Sequence, residues 1–144
     1  MSLSILSVNI QHEHDIVAAR QRARQIGGLL GFDQQDQTRI ATAVSEIARN
    51  AYAYARGGRV EFAIEGNALP QVFLIIVSDR GEGISNLSEI LAGGYHSPTG
   101  MGLGLLGARR LMDRFDVESE PGRGTRVEIK LRPGELGKWK NNHE

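Results

Sequence analysis

Apolar and polar positions alternate or recur along this chain with periods that predict its elements one by one. Leu6, Val8 and Ile10 alternate with Ser7 and Asn9, the signature of a strand with one buried face. Ile16, Ala19, Ala23, Ile26 and Leu30 then repeat at three- and four-residue steps, which predicts a helix capped by Asp15 and stopped at Gly31. A second helix is predicted from about Gln35 to Ala55, with Ile40, Val44, Ile47, Ala51 and Tyr54 as its apolar stripe and Gly57-Gly58 as its end. Val60, Phe62 and Ile64 alternate with charged or small residues, so 59–65 reads as a strand with one wet face. Gly66-Asn67 suits a turn, and Val72 to Ser78 reads as a buried strand. A short helix is expected near Leu87–Leu91, a mobile loop over 93–102, and a helix from Leu103 to Phe115. Val117 and its neighbours, a turn at Pro121-Gly-Arg-Gly124, and Val127, Ile129 and Leu131 predict two closing strands. The fold class expected is therefore α+β, a two-layer sandwich of one sheet with helices on one face.

Composition narrows the function classes. The 144 residues suit one domain, expected over 1–131, followed by a polar tail over 132–144. Lys+Arg and Asp+Glu both number 17, and the zero net charge argues against unspecific binding to nucleic acid or an anionic membrane. There is no cysteine, hence no disulfide and no thiolate metal site. The longest apolar run, Val72 to Val77, is far too short to span a bilayer, and no signal segment is visible. A cytoplasmic location is expected. Eighteen glycines exceed average usage, and they gather at 81–107 and 122–124.

Four clusters carry candidate chemistry. Glu46 and Asn50 lie four residues apart on the second helix and share a face. A carboxylate and an amide oxygen so placed suit polarisation of a nucleophile and Mg²⁺ ligation, although such i,i+4 pairs are common and, taken alone, this one reads first as a solvated polar face. Asp79-x-Gly81-x-Gly83 follows the buried strand directly, putting a hydrogen-bond acceptor beside glycines that admit a flat group. A plain strand-ending turn would use the same residues. Gly100-Met-Gly102-Leu-Gly104-Leu-Leu-Gly107 opens a helix whose free N–H groups suit phosphate. It satisfies the dinucleotide spacing, but Tyr95-His-Ser-Pro-Thr99 before it is no buried strand, so that reading is rejected. Gly122-Arg-Gly124-Thr125 reads alone as a hairpin turn. Their order in one short chain says more than any one of them.

That order, E-x-x-x-N, D-x-G-x-G, G-x-G-L-G and G-x-G-T, resembles the N, G1, G2 and G3 boxes of the GHKL (Bergerat-fold) superfamily of ATPases and kinases. The resemblance covers about 15–131. The stretches DQTRIATAVSEIARNAYAYA, GYHSPTGMGLGLLGARRLMDRF and PGRGT narrow it to the anti-sigma-factor kinase branch, and within it to RsbT-type serine/threonine switch kinases. It implies a histidine-kinase-like ATPase fold with a mixed, mostly antiparallel sheet, binding ATP and Mg²⁺. It implies that Asp79 accepts from the adenine amino group and that Gly81 and Gly83 leave room for the base. Asn50 would ligate Mg²⁺, and Glu46 would be general base on the incoming hydroxyl. Gly102, Gly104 and the N–H groups of Leu103 and Leu105 would hold phosphates below a lid, 93–101. Thr125 would support the adenine pocket through water, and Ile84 and Gly100 count among the nucleotide-binding positions. Arg80 and Glu82 fill the variable G1 positions, where Pro is frequent at the latter, which implies a slightly looser loop.

The resemblance also implies partners: a STAS-domain antagonist protein as phosphoacceptor, and a PPM-type phosphatase or a sigma factor beside it. The alternative is a nucleotide-gated binding module that sequesters a sigma factor or activates a phosphatase with little catalysis. A histidine-kinase catalytic domain fits less well, because neither His12 nor His14 sits in a dimerisation helix. His12 and His14 read as a solvated helix start rather than a metal pair. His96, Arg109, Arg110, the Arg20/Arg22/Arg24 group and Trp139 receive no site role.

Overall fold

The computed structural model describes residues 2–55, 57–81, 108, 112 and 114–134. The elements run β1 (Ser2–Ile10), α1 (Glu13–Leu29), α2 (Gln34–Ala55), β2 (Gly58–Glu65), β3 (Val72–Ser78), β4 (Phe115–Glu120) and β5 (Gly124–Leu131). The strands form one sheet in the order β1-β2-β3-β5-β4, and all four pairings are antiparallel. The expected α+β sandwich is present, with both helices packed on one face. The expected helix near Leu87–Leu91 and the loop over 93–102 lie outside the described residues, and of the expected helix Leu103–Phe115 only buried Ala108 and Met112, exposed Arg114 and Phe115 are described.

The core forms where two periodicities meet. Ile16, Ala19, Ala23 and Ile26 from α1 and Ile40, Val44 and Ile47 from α2 face Val60, Phe62, Phe73, Ile75, Val77, Val127 and Ile129 from the sheet. Phe73 and Ile75 are fully buried in the central strand, and Phe73 stacks obliquely on Phe62 and Phe32. The opposite sheet face carries ion pairs, Arg59 with Glu61, Arg126 with Glu128, and Lys130 with both Glu65 and Glu128, around buried Ala63, Val72 and Leu74. This accounts for the charged alternates read in β2 and β5.

Three sequence expectations change. The first strand begins at Ser2 rather than near Leu6, because pairing with β2 continues past a register shift between Ser4 and Leu6. Phe115 opens β4 instead of ending a helix; it pairs with Ile129 and packs against the core. Asp15 is not the cap residue of α1. His12 holds that place, and Asp15 stands at the third helical position, where its carboxylate accepts the N–H groups of Gln11 at 2.9 Å and His12 at 2.8 Å. Those two bonds, that from Gln11 first, hold the Asp15 carboxyl below its ordinary range. A depressed folded-state value means the contribution to stability is present above the unfolded carboxylate range and is lost as pH falls through the folded value. Asp15→Ala is therefore expected to lower the melting temperature at pH 7, with the difference from wild type closing as the buffer is taken into the acid range; thermal melts across pH measure it.

Helix ends follow the glycines. Gly31 takes a φ of 99° just after the α1 cap, and Gly57, at 129°, donates its N–H to the Ala51 carbonyl to close α2.

Candidate nucleotide site at the end of the central strand

β3 carries its buried apolar run to Ser78 and delivers Asp79 at the end of the sheet's middle strand. The Asp79 carboxylate is fixed on both sides. Its Oδ1 accepts the Gly81 N–H at 2.9 Å and the Thr125 N–H at 3.2 Å, while the Asp79 N–H donates to the Thr125 carbonyl at 2.9 Å. Asp79 and Thr125 are 46 residues apart in sequence, and the β3–β5 ladder brings them together. Oδ1 is thus committed to the backbone.

Glycines make the space around this carboxylate. A Cβ on Gly81 would stand 2.6 Å from Ala55 Cβ, and one on Gly58 would stand 2.5 Å from the Ser78 carbonyl oxygen and 3.3 Å from Asp79 Cβ. A Cβ on Gly124, whose φ is 99°, would run into the Asp79 carbonyl oxygen. Gly58 reads in sequence only as a helix stop, yet it belongs to this cradle. The same contacts bring the last turns of α2, at Ala51 and Ala55, against the Asp79 loop. Gly124→Ala is expected to cost about 2 kcal/mol of stability or more, from the unfavourable φ together with the clash. Urea unfolding of the variant checks it.

Glu46 and Asn50 occupy one flank of α2. A Cβ on Gly27 of α1 would touch Gln37 and Ile40 at 3.7 and 3.8 Å, so α1 lies along the Gln37 side. At about 100° per residue, Glu46 and Asn50 project from the side of α2 away from α1. Both are half-buried, and Ala43 on the same flank is fully buried. The pair is thus kept out of the interhelical seam, one turn before the Ala51–Ala55 segment that touches the Asp79 loop.

Thr125 is tied to Asp79 through its backbone. Its backbone N–H and carbonyl hold Asp79, and its hydroxyl lies 2.9 Å from that of Ser119. Ser119 is a residue that reading the motifs missed. Its signal was the hairpin: a turn centred on Gly122 sets Ser119 opposite Thr125. A cleft of about 300 Å³ opens here, lined by Asp79, Ser119 and Thr125 together with Glu118, Arg123 and Arg126. The residues present fit a nucleobase with a hydrogen-bond donor at its edge: an oriented carboxylate, a floor of glycines and a neighbouring hydroxyl. Gly83, Ile84, Gly100, Gly102, Leu103, Gly104 and Leu105 lie outside the described residues.

His12 and His14 stack on each other at 5.3 Å between ring centroids, and among the described residues no group of three or more His, Cys, Asp and Glu could hold a metal. Among the described residues no helix is long and apolar enough to cross a membrane.

Residues 35–135 match the family described as histidine kinase-, DNA gyrase B-, and HSP90-like ATPase. The chain is 41% identical to the serine/threonine-protein kinase RsbT of Bacillus subtilis over 121 residues, covering 84% of this chain and 91% of that one. It is 33% identical over 101 residues to the anti-sigma F factor of Clostridium perfringens, covering 67% of this chain and 72% of that one. It is 31% identical over 96 residues to the anti-sigma F factor of Clostridium beijerinckii, covering 63% and 67% respectively.

Proposed function

The chain belongs to the histidine kinase-, DNA gyrase B- and HSP90-like ATPase family, and from that premise we propose how its residues carry out the transfer of a phosphoryl group to a partner protein. The protein is an ATP-using serine/threonine kinase of the anti-sigma, partner-switching type. What supports the site assignment is the Asp79 carboxylate, held through one oxygen by Gly81 and Thr125, with the last turn of α2 at Ala55 against Gly81.

In this reading Asp79 Oδ2 accepts from the 6-amino group of adenine, and Gly81 and Gly58 keep the floor low enough for the ring to approach. Asn50 offers a hard amide oxygen for Mg²⁺, which when bound neutralises phosphate charge. Glu46, one turn before Asn50 on the same flank, takes the proton of the acceptor hydroxyl as that oxygen attacks the terminal phosphorus, whose bond to the bridging oxygen breaks so that ADP leaves with that electron pair. Phosphoryl transfer asks mainly for positioning and charge neutralisation, which a rigid helix and a fixed strand end supply. From the sequence alone, Gly100, Gly102 and Gly104 with the N–H groups of Leu103 and Leu105 are assigned to the phosphates, and Gly83 and Ile84 to the base. One kinase domain spans 1–131, with 132–144 as a tail, and the protein works in the cytoplasm.

The acceptor is a serine or threonine of a STAS-domain antagonist protein, with a PPM-type phosphatase or a sigma factor as the further partner of the switch. The similarity to anti-sigma F factors also supports a second reading, nucleotide-gated sequestration with little catalysis. Incubation with labelled ATP and a STAS-domain partner encoded beside the chain tests the acceptor chemistry. Acid-stable label on the partner is expected. Acid-labile label on the chain itself would indicate histidine phosphorylation, and no label on either would favour the binding module.

A further inference from the structure

We infer that the outer face of α1, from Val17 to Leu29, docks an acidic, amphipathic segment of a partner protein, on the side of α2 opposite to the Glu46/Asn50 flank.

The basic charge of α1 is uncompensated. Residues 16–30 hold Arg20, Arg22 and Arg24 and no acid, although Lys+Arg and Asp+Glu balance at 17 each over the whole chain. All three arginines are exposed. Among the described residues Arg20 and Arg24 have no carboxylate partner, and Arg22 bonds to a neutral group, the Gln25 side chain, at 2.8 Å. The sheet surface behaves differently, since Arg59, Arg126 and Lys130 each meet a glutamate there. Guanidinium groups left without a carboxylate of their own attract those of another chain and fix its register.

The same face is concave. A trough of about 500 Å³ runs over it. Its lining follows two neighbouring stripes of the helix, Gln21-Arg24-Gly28 and Ala18-Arg22-Gln25, at three- and four-residue steps. Gln37 of α2 also lines it. The Gln37 Nε2 donates to the Phe32 carbonyl at 2.8 Å, and a Cβ on Gly28 would stand 3.4 Å from that nitrogen. The missing side chain at Gly28 therefore keeps the floor open beside Gln37. The two stripes continue to Val17 at one end and to Leu29 at the other, 40% and 86% exposed. The run from 17 to 29 measures about 18 Å. It suits a segment with an apolar side chain near each end and acids between them, facing Arg22 and Arg24.

This composition selects a protein. A phosphate backbone rewards rows of cations and gains little from Leu29 or Val17, whereas arginine among exposed apolar groups is the make-up of protein interfaces. Because α1 lies along the Gln37 side of α2, a segment seated here leaves the Glu46/Asn50 flank open.

The test uses the full chain and a fluorescein-labelled peptide of about twelve residues, the length of the trough, with a leucine near each end and glutamates between them. Saturable binding by anisotropy is expected. Arg22→Glu/Arg24→Glu should weaken it at least about tenfold, and raising the salt from about 0.05 M to about 0.5 M should do the same, because exposed charges are screened. Arg59→Glu/Arg114→Glu changes the net charge equally elsewhere and should stay within about twofold of wild type. A peptide with serine for leucine should bind about tenfold more weakly. Saturating ATP and Mg²⁺ should leave the peptide affinity unchanged. No saturable binding, equal binding by Arg22→Glu/Arg24→Glu, equal binding of the serine peptide, or displacement by ATP would overturn the inference. An RNA oligonucleotide that binds more tightly than the peptide would make the face a polyanion surface. Self-association abolished by the same double substitution would make a second copy the occupant. Either result would also overturn the inference. Should the charge reversal not fold, Arg22→Gln/Arg24→Gln removes the charges alone and is expected to weaken binding about threefold or more; an unchanged affinity would overturn the inference.

Discussion

Asp79→Asn is expected to weaken ATP binding by about a hundredfold or more while the protein stays folded, because the change falls on the carboxylate oxygen that we propose meets the adenine amino group. Asparagine can keep its oxygen where Asp79 Oδ1 now accepts the Gly81 and Thr125 N–H groups, so the strand end and the β5 contact survive. Loss of charge on those bonds costs about 1 kcal/mol of stability. The amide nitrogen then occupies the place of Oδ2 and presents a donor to the adenine amino group. Two donors face each other in a half-buried cleft, and neither finds a partner there. Calorimetry of ATP binding, with a thermal melt of the same sample, separates the two effects. Native ATP affinity in the variant would refute the assignment of the base.

The second large effect belongs to catalysis. Glu46→Gln keeps side-chain volume and the α2 flank but removes the base. ATP binding is expected to stay within a few-fold of wild type, since Glu46 is assigned to the incoming hydroxyl and not to the nucleotide. The transfer rate is expected to fall by about 10²- to 10⁴-fold, the usual contribution of a positioned general base. A variant that lost ATP binding to the same degree as transfer would move Glu46 into the nucleotide site. The contrast with Asp79→Asn is informative: one variant should lose nucleotide affinity, and the other should slow the chemical step alone.

Much of the frame was legible in sequence because burial repeats with a period. β3 ran from Val72 to Ser78 as its unbroken apolar stretch indicated, and α2 began one residue before the position read from its stripe. Local reading failed where a distant pairing or a backbone contact decides the outcome. Leu3 and Ile5 fall out of step with Leu6, Val8 and Ile10 because the register shifts between Ser4 and Leu6, so alternation hid the first half of β1. Phe115 looked like the last apolar position of a helix, but its partner Ile129 lies in another strand. Asp15 was visible as a helix-start residue; that it reaches back from the third helical position depends on the chain path at Gln11 and His12.

The candidate site divides in the same way. Its residue types and spacings, Glu46 with Asn50 and Asp79 with Gly81, are local and were readable. The grip on Asp79 was not, because it comes from a backbone N–H 46 residues away, and side-chain patterning carries no record of such a bond. Gly58 and Gly124 looked like turn glycines, and only the approach of Ser78 and Asp79 shows why a side chain is excluded at each. Ser119 has no motif at all. Its place follows from counting the hairpin outward from Gly122, a step that needs the turn to be known first.

Single-turnover phosphotransfer isolates the step assigned to Glu46. Wild type and Glu46→Gln, each saturated with labelled ATP and Mg²⁺, are mixed with a STAS-domain partner, and label on the partner's serine or threonine is followed with time. Rapid labelling is expected with wild type, and labelling slower by at least about a hundredfold with the variant, with nucleotide bound in both. Equal labelling by the two proteins, or none by ATP-saturated wild type, would contradict that assignment.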